Sequence, residues 1–225
     1  MNAESAERDA ELAERDSACP GRTPAFLRAP ASRSAFSASG LYTDAMTSDF
    51  ESVKSAWLAE LRKQKQWAEH AAGQVPDEKL HQAIAPGTNP VSVIMKHLAG
   101  SLRSRFTEFL TTDGEKDWRN RDHEFVVGHE PREELMAIWN RGWDAVLGSV
   151  EALTKEDMAR TVTIRSEPHT IPLAVTRAIA HCAYHTGQIM LVSRILAGSE
   201  HWKWATIAPG RSEEFREQMA QRFQT

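Results

Sequence analysis

Four stretches of this chain repeat apolar side chains every three to four residues, and proline or glycine bounds each of them. An α-helix turns once in ~3.6 residues, so this spacing gathers apolar groups on one face that a second helix must cover. The first stretch, about 47–72, aligns Phe50, Val53, Trp57, Leu58, Leu61 and Trp67 and stops at Gly73 and Pro76. Asn89 as N-cap and Pro90 at the first helical position open the second, which runs to about Leu110 with Ile94, Leu98, Leu102 and Phe106 inward. Pro131 opens the third, with Trp139 and Trp143 one turn apart, and Pro172 opens a fourth that ends near Gly198. Between the last two, "RTVTIRSEPHTIP" alternates Val162 and Ile164 and predicts a short extended pair or turn. Ser212, with Glu213 and Glu214 behind it, caps a short closing helix. Joined antiparallel through one or two longer connections, the four segments predict an all-α four-helix bundle.

Residues 1–45 read differently. The first 16 are acidic and almost free of large apolar groups, and residues 17–40 carry Pro20, Pro24, Pro30 and several serines but no acid. Neither part has enough apolar surface to offset its ordering entropy, so 1–45 is expected to be a disordered extension and 46–225 the folded domain. Met46 stands just before the first helical pattern and is the expected natural start, which mass spectrometry of the native N-terminus decides.

At 225 residues the chain suits one domain, and no apolar run nears the roughly 20 residues a membrane helix needs. A net charge of -4, with no basic stripe among aromatics, argues against nucleic acid as a partner. The cysteines are two, Cys19 and Cys182, too few for a disulfide framework, so a reducing cytoplasm is expected.

The stretch "HCAYHTGQI" carries the chemistry. His181 and His185 lie at i and i+4, so both imidazoles share one face of the fourth helix among Ile179, Ala180, Ala183, Ile189 and Met190. His97, next to Leu98 on the second helix, is a third nitrogen donor that a bundle would bring to the same place. Three imidazoles with an open position suit zinc, nickel, iron or copper and a reactive site; core histidines that satisfy one another by hydrogen bonds fit the spacing as well. Cys182 stands where the H-E-x-x-H proteases carry their glutamate base, so protease chemistry is excluded, and Cys182 itself reads as a small buried residue.

Taken together, "IMKHLAGSLRSRF", "NRDHEF", "IRSEPHTI", the His-x-x-x-His before Gly187-Gln188-Ile189 and "PGRSEEF" give the region 46–219 a resemblance to the DinB-like superfamily of bacterial four-helix bundles. It is most similar to the uncharacterised branch near the YfiT-like proteins classed as metal-dependent hydrolases. The resemblance implies a divalent metal, zinc, nickel or iron, on His97, His181 and His185, in a protein that commonly forms a homodimer. Relatives of that kind include thiol-dependent S-transferases and an isomerase.

Two functions follow as expectations. In the first, the metal activates water or a low-molecular-weight thiol toward a small-molecule substrate, as in a hydrolase or S-transferase. Gln188, Tyr184, Arg121, Asp122 and Glu124 are then candidates for handling protons, and Arg165 and Arg211 for clamping a substrate carboxylate or phosphate. In the second, the metal staples a dimeric, stress-associated binding protein that has no catalytic role. Each of these side chains also has a plain structural reading, a structural hydrogen bond or a solvated charge, and Trp139 and Trp143, on one face of the third helix, read either as the wall of a pocket or as core.

Overall fold

The structure is a computed structural model that describes residues 39–200 and 202–223, and the expectation for 1–38 lies outside those residues. The described part is mostly helical with one two-stranded sheet. Helix α1 covers Ser39–Ala72, upstream of the expected start near 47, so 39–45 belong to a helix. Its inward row is Phe50, Leu58, Leu61, Ala68 and Ala71; Val53, expected on that row, is 40% exposed. The side chain of Arg132 hydrogen-bonds the carbonyls of Ala72 and Val75 and pairs with Asp77, so a cation satisfies the acceptors that the helix end leaves open.

Helix α2 is Val91–Phe106. Pro90, not Asn89, takes the capping position, and the helix stops short of the expected Leu110. Thr107 turns to extended backbone and Glu108 to a positive φ of 51°, while the Ser104 hydroxyl donates to the carbonyl of Gly114 at 2.6 Å and ties the departing loop back. Inside what reads as a polar loop sits a four-residue helix, α3, Arg121–Glu124, capped by the Asn120 side chain, which accepts from His123 N at 3.1 Å. One turn is too short to register as periodicity.

Helix α4, Arg132–Glu151, buries Leu135, Trp139, Trp143, Val146 and Val150, so the two indoles are core. Strands β1, Thr161–Ile164, and β2, Glu167–Thr170, pair antiparallel with Val162 opposite His169 and Ile164 opposite Glu167. Their two-residue turn places both Arg165 and Ser166 at positive φ, 56° and 63°, the conformation of the tightest hairpins and one that asparagine and glycine usually supply. The Asp113 carboxylate holds this turn by accepting from Arg165 N at 2.9 Å and Ser166 N at 2.8 Å. Burial would raise its pKa, but these bonds and that from Glu115 N hold it far below the ordinary carboxylate range.

A sign follows for stability. The folded pKa of Asp113 is depressed, so its contribution is complete above the unfolded value near ~3.9 and fades as pH falls below it. Asp113→Ala is expected to cost about 1–3 kcal/mol at pH 7, where charge-assisted bonds to the turn are lost, and less at pH 3. Urea titrations at both pH values check this; an equal loss at both would contradict it.

Helix α5, Ile171–Ala197, starts from Thr170, whose hydroxyl accepts from Leu173 N, and ends at Gly198 with φ 87°. Helix α6, Ser212–Phe223, buries none of its side chains. The long helices pack α1 on α5, α5 on α2, α2 on α4 and α4 on α1. Gly142 of α4 touches the backbone of Ala99 on α2: a Cβ there would lie 2.6 Å from the Ala99 Cα. Among the described residues no helix is long and apolar enough to cross a membrane.

Candidate metal centre

The α2–α5 contact carries the site. His97 faces outward from α2 onto the helix turn of α5 that bears His181 and His185, with ring centroids 5.6 and 5.0 Å away, and those two rings are 4.6 Å apart. One nitrogen from each lies within 4.8 Å of the others, and no fourth His, Cys, Asp or Glu among the described residues joins them. His97 and His185 are buried and His181 half-buried.

Neighbours fix which nitrogen of each ring is free. The Nδ1 of His97 donates to Glu124 Oε2 at 3.0 Å, which leaves Nε2 as the bare ring nitrogen. Arg119 donates to both oxygens of that carboxylate, at 2.8 and 2.9 Å. Burial would raise the Glu124 pKa, but the bonds from His97 and Arg119 hold it below the ordinary value, so Glu124 is an anion. Gly100 makes the arrangement fit: a Cβ at that position would come within 2.7 Å of the Glu124 Cδ. On α5 the Nδ1 of His185 donates to Gln188 Oε1 at 2.8 Å, which again leaves Nε2 bare.

The Nε2 atoms of His181 and His185 then face each other at 3.0 Å. With protein groups alone, His181 must place its proton there, and its own buried Nδ1 has no partner. A cation that accepts the Nε2 lone pairs removes the need for that proton. Burial, together with His185 and Arg105, pushes His181 down to about 3, and burial lowers His185 against its hydrogen bond to Gln188, so both are neutral donors at pH 7. The donor set fits a divalent ion, as do the Nδ1 hydrogen bonds of His97 and His185, which leave each Nε2 free.

Other candidates separate clearly. Tyr184 is 64% exposed, with its ring edge toward His185 at 4.8 Å. Arg121 lies over the Phe125 ring, which itself covers His97 at 4.6 Å, and Asp122 stands in solvent beside Arg121. Arg165 is bound to Glu115 on the hairpin turn, and Arg211 pairs with Glu214 at the surface. Burial pushes the Cys182 thiol up to about 12, so it is a core group, as expected. Sequence reasoning missed Arg119 and Arg105 entirely. The signal for Glu124 was present: a capping asparagine four residues before it, and a glycine three residues after His97.

A search of curated proteins finds no match. Residues 49–211, which include all three histidines, match the family described as "Protein of unknown function (DUF1572)", a DinB-like family, and the chain belongs to it.

Proposed function

We propose that His97, His181 and His185 hold one divalent ion, zinc, nickel or iron, and that the protein is a metal-dependent enzyme of hydrolase or thiol S-transferase type. One observation carries this reading: three imidazoles with ligand atoms inside 4.8 Å and, among the described residues, no fourth His, Cys, Asp or Glu beside them. An ion bound there supplies Lewis acidity, which makes water or a small thiol nucleophilic at neutral pH. The chain's own residues do the rest. Glu124, kept ionised by Arg119, holds the His97 ring in place and its proton on Nδ1; Gln188 does the same for His185. Phe125 over His97 and Tyr184 against His185 limit the approach of solvent.

The ring of four packed helices with the histidines at one junction supports a bundle of the DinB kind, near the YfiT-like branch. A cytoplasmic setting suits Cys182, a free buried thiol. Leu173, Tyr184, Leu191 and Ile195 leave an apolar row, each more than half exposed, along the outer face of α5, and we read it as the surface of a homodimer. Leu191→Glu should then yield monomers in analytical ultracentrifugation; a wild-type chain that is already monomeric would remove the dimer.

Activity is tested by presenting metal-loaded protein with a panel of small thiols, electrophiles and esters. Turnover by the wild type and silence of the triple-histidine variant are expected. Silence of both across the panel would leave the metal as a staple and end the enzymatic reading.

A further inference from the structure

We propose that Arg105, two turns along α2 from His97, binds a compact oxyanion, the carboxylate or phosphate group of a small-molecule substrate, beside the three histidines. The inference rests on the metal-site reading above and names the class of substrate that site would take. His97, Ser101 and Arg105 occupy positions i, i+4 and i+8 of α2, one continuous stripe, and Arg177 precedes His181 by one turn on α5. The Arg105 Cγ lies 3.4 Å from where a Gly114 Cβ would stand, and the hairpin residue Ile164 closes on the same point, so the side chain runs beneath the turn that carries Arg165.

Four guanidiniums collect here, and three have partners. Arg119 is bound to Glu124, Arg165 to Glu115, and Arg177 to His169 at 2.6 Å with Glu167 at 3.6 Å. Arg105 alone has no hydrogen-bond or ion-pair partner among the described residues, although it is half-buried. Burial and the fields of Arg119, Arg177 and Arg165 push it down to about 10 against the opposing field of Glu115, which makes no ion pair with it, and the Arg105 charge in turn acts on His181 and Cys182.

A half-buried charge without a counterion is costly, and a guanidinium presents its donors as a fork that matches two oxygens of a carboxylate or phosphate. The Ser101 hydroxyl, buried, without a partner and one turn from both His97 and Arg105, offers a further donor on the same stripe. Eight residues of helix span ~12 Å between the two Cα atoms, so a ligand that reaches both the fork and the histidines is an acid or phosphate ester of a few heavy atoms.

The test is calorimetric titration of the full chain, supplied with zinc, by inorganic phosphate in one arm and succinate in the other, with zinc content measured on the same samples. Saturable binding of at least one anion is expected, weakened at least ~10-fold in Arg105→Gln and less in Arg105→Lys, which keeps the charge and loses the fork, with zinc content unchanged. The arm that binds identifies the group as phosphoryl or carboxyl. No saturable binding of either anion by the wild type, or equal binding by Arg105→Gln, overturns the anion site while leaving the zinc result to judge the metal. Absence of zinc from the wild type overturns the metal reading alone; the same titrations still decide whether Arg105 captures the anion.

Discussion

Glu124→Ala will weaken divalent metal binding by about 10–100-fold while all three histidines stay in place, the usual cost of losing a carboxylate that orients a ligand imidazole. The carboxylate accepts from His97 Nδ1 at 3.0 Å and so fixes both the tautomer and the rotation of the ring. Its removal also leaves Arg119, whose side chain is 3% exposed, without a counterion, so this variant loses stability as well. Gly100→Ala separates the two effects. Alanine favours a helix interior over glycine by roughly 1 kcal/mol, yet a Cβ at position 100 displaces the Glu124 carboxylate. Competition against a chromogenic chelator should therefore find weaker zinc binding in Gly100→Ala without a matching loss of fold. Unchanged affinity in both variants would contradict the role given to Glu124.

Gly142→Ala will destabilise the protein by about 1–3 kcal/mol, although the same change in an open helix normally stabilises it. The added Cβ would lie 2.5 Å from the Ala99 carbonyl oxygen and 2.6 Å from its Cα, both backbone atoms that cannot rotate away. Helices α2 and α4 must separate, and α2 carries His97 two residues before the contact. Gly148, on the same helix with nothing within 4 Å of its would-be Cβ, is the control: Gly148→Ala is expected to raise stability by about 0.5–1 kcal/mol. Urea denaturation of both variants checks the pair of opposite signs; a stabilised Gly142→Ala would contradict the close approach.

The long helices were legible because their inward residues repeat over many turns: Ile94, Leu98, Leu102 and Phe106 are buried where the spacing predicts. Boundaries were less so. Asn89 has the better side chain for a cap, yet Pro90 takes the position, and α2 stops at Phe106 because Ser104 and Thr107 bond the chain into a turn, although Phe109 beyond it is apolar and buried. The convergence of His97 on His181 and His185 was readable from helical register and the resemblance together. Glu124 stands among the sequence candidates, but its role as the partner of His97 Nδ1 does not, because that depends on α3 folding it onto Gly100, a contact between segments. Arg105 was invisible for the opposite reason: it sits among ordinary surface arginines in "LRSRF", and only packing leaves it half-buried without a partner.

The most direct measurement is elemental analysis of the full chain purified without an affinity tag, alongside His181→Ala and His185→Ala. A three-imidazole site predicts about one divalent ion per chain in the wild type and less than about a tenth of that in either variant. A wild type free of metal, or variants that retain all of it, would contradict the metal centre.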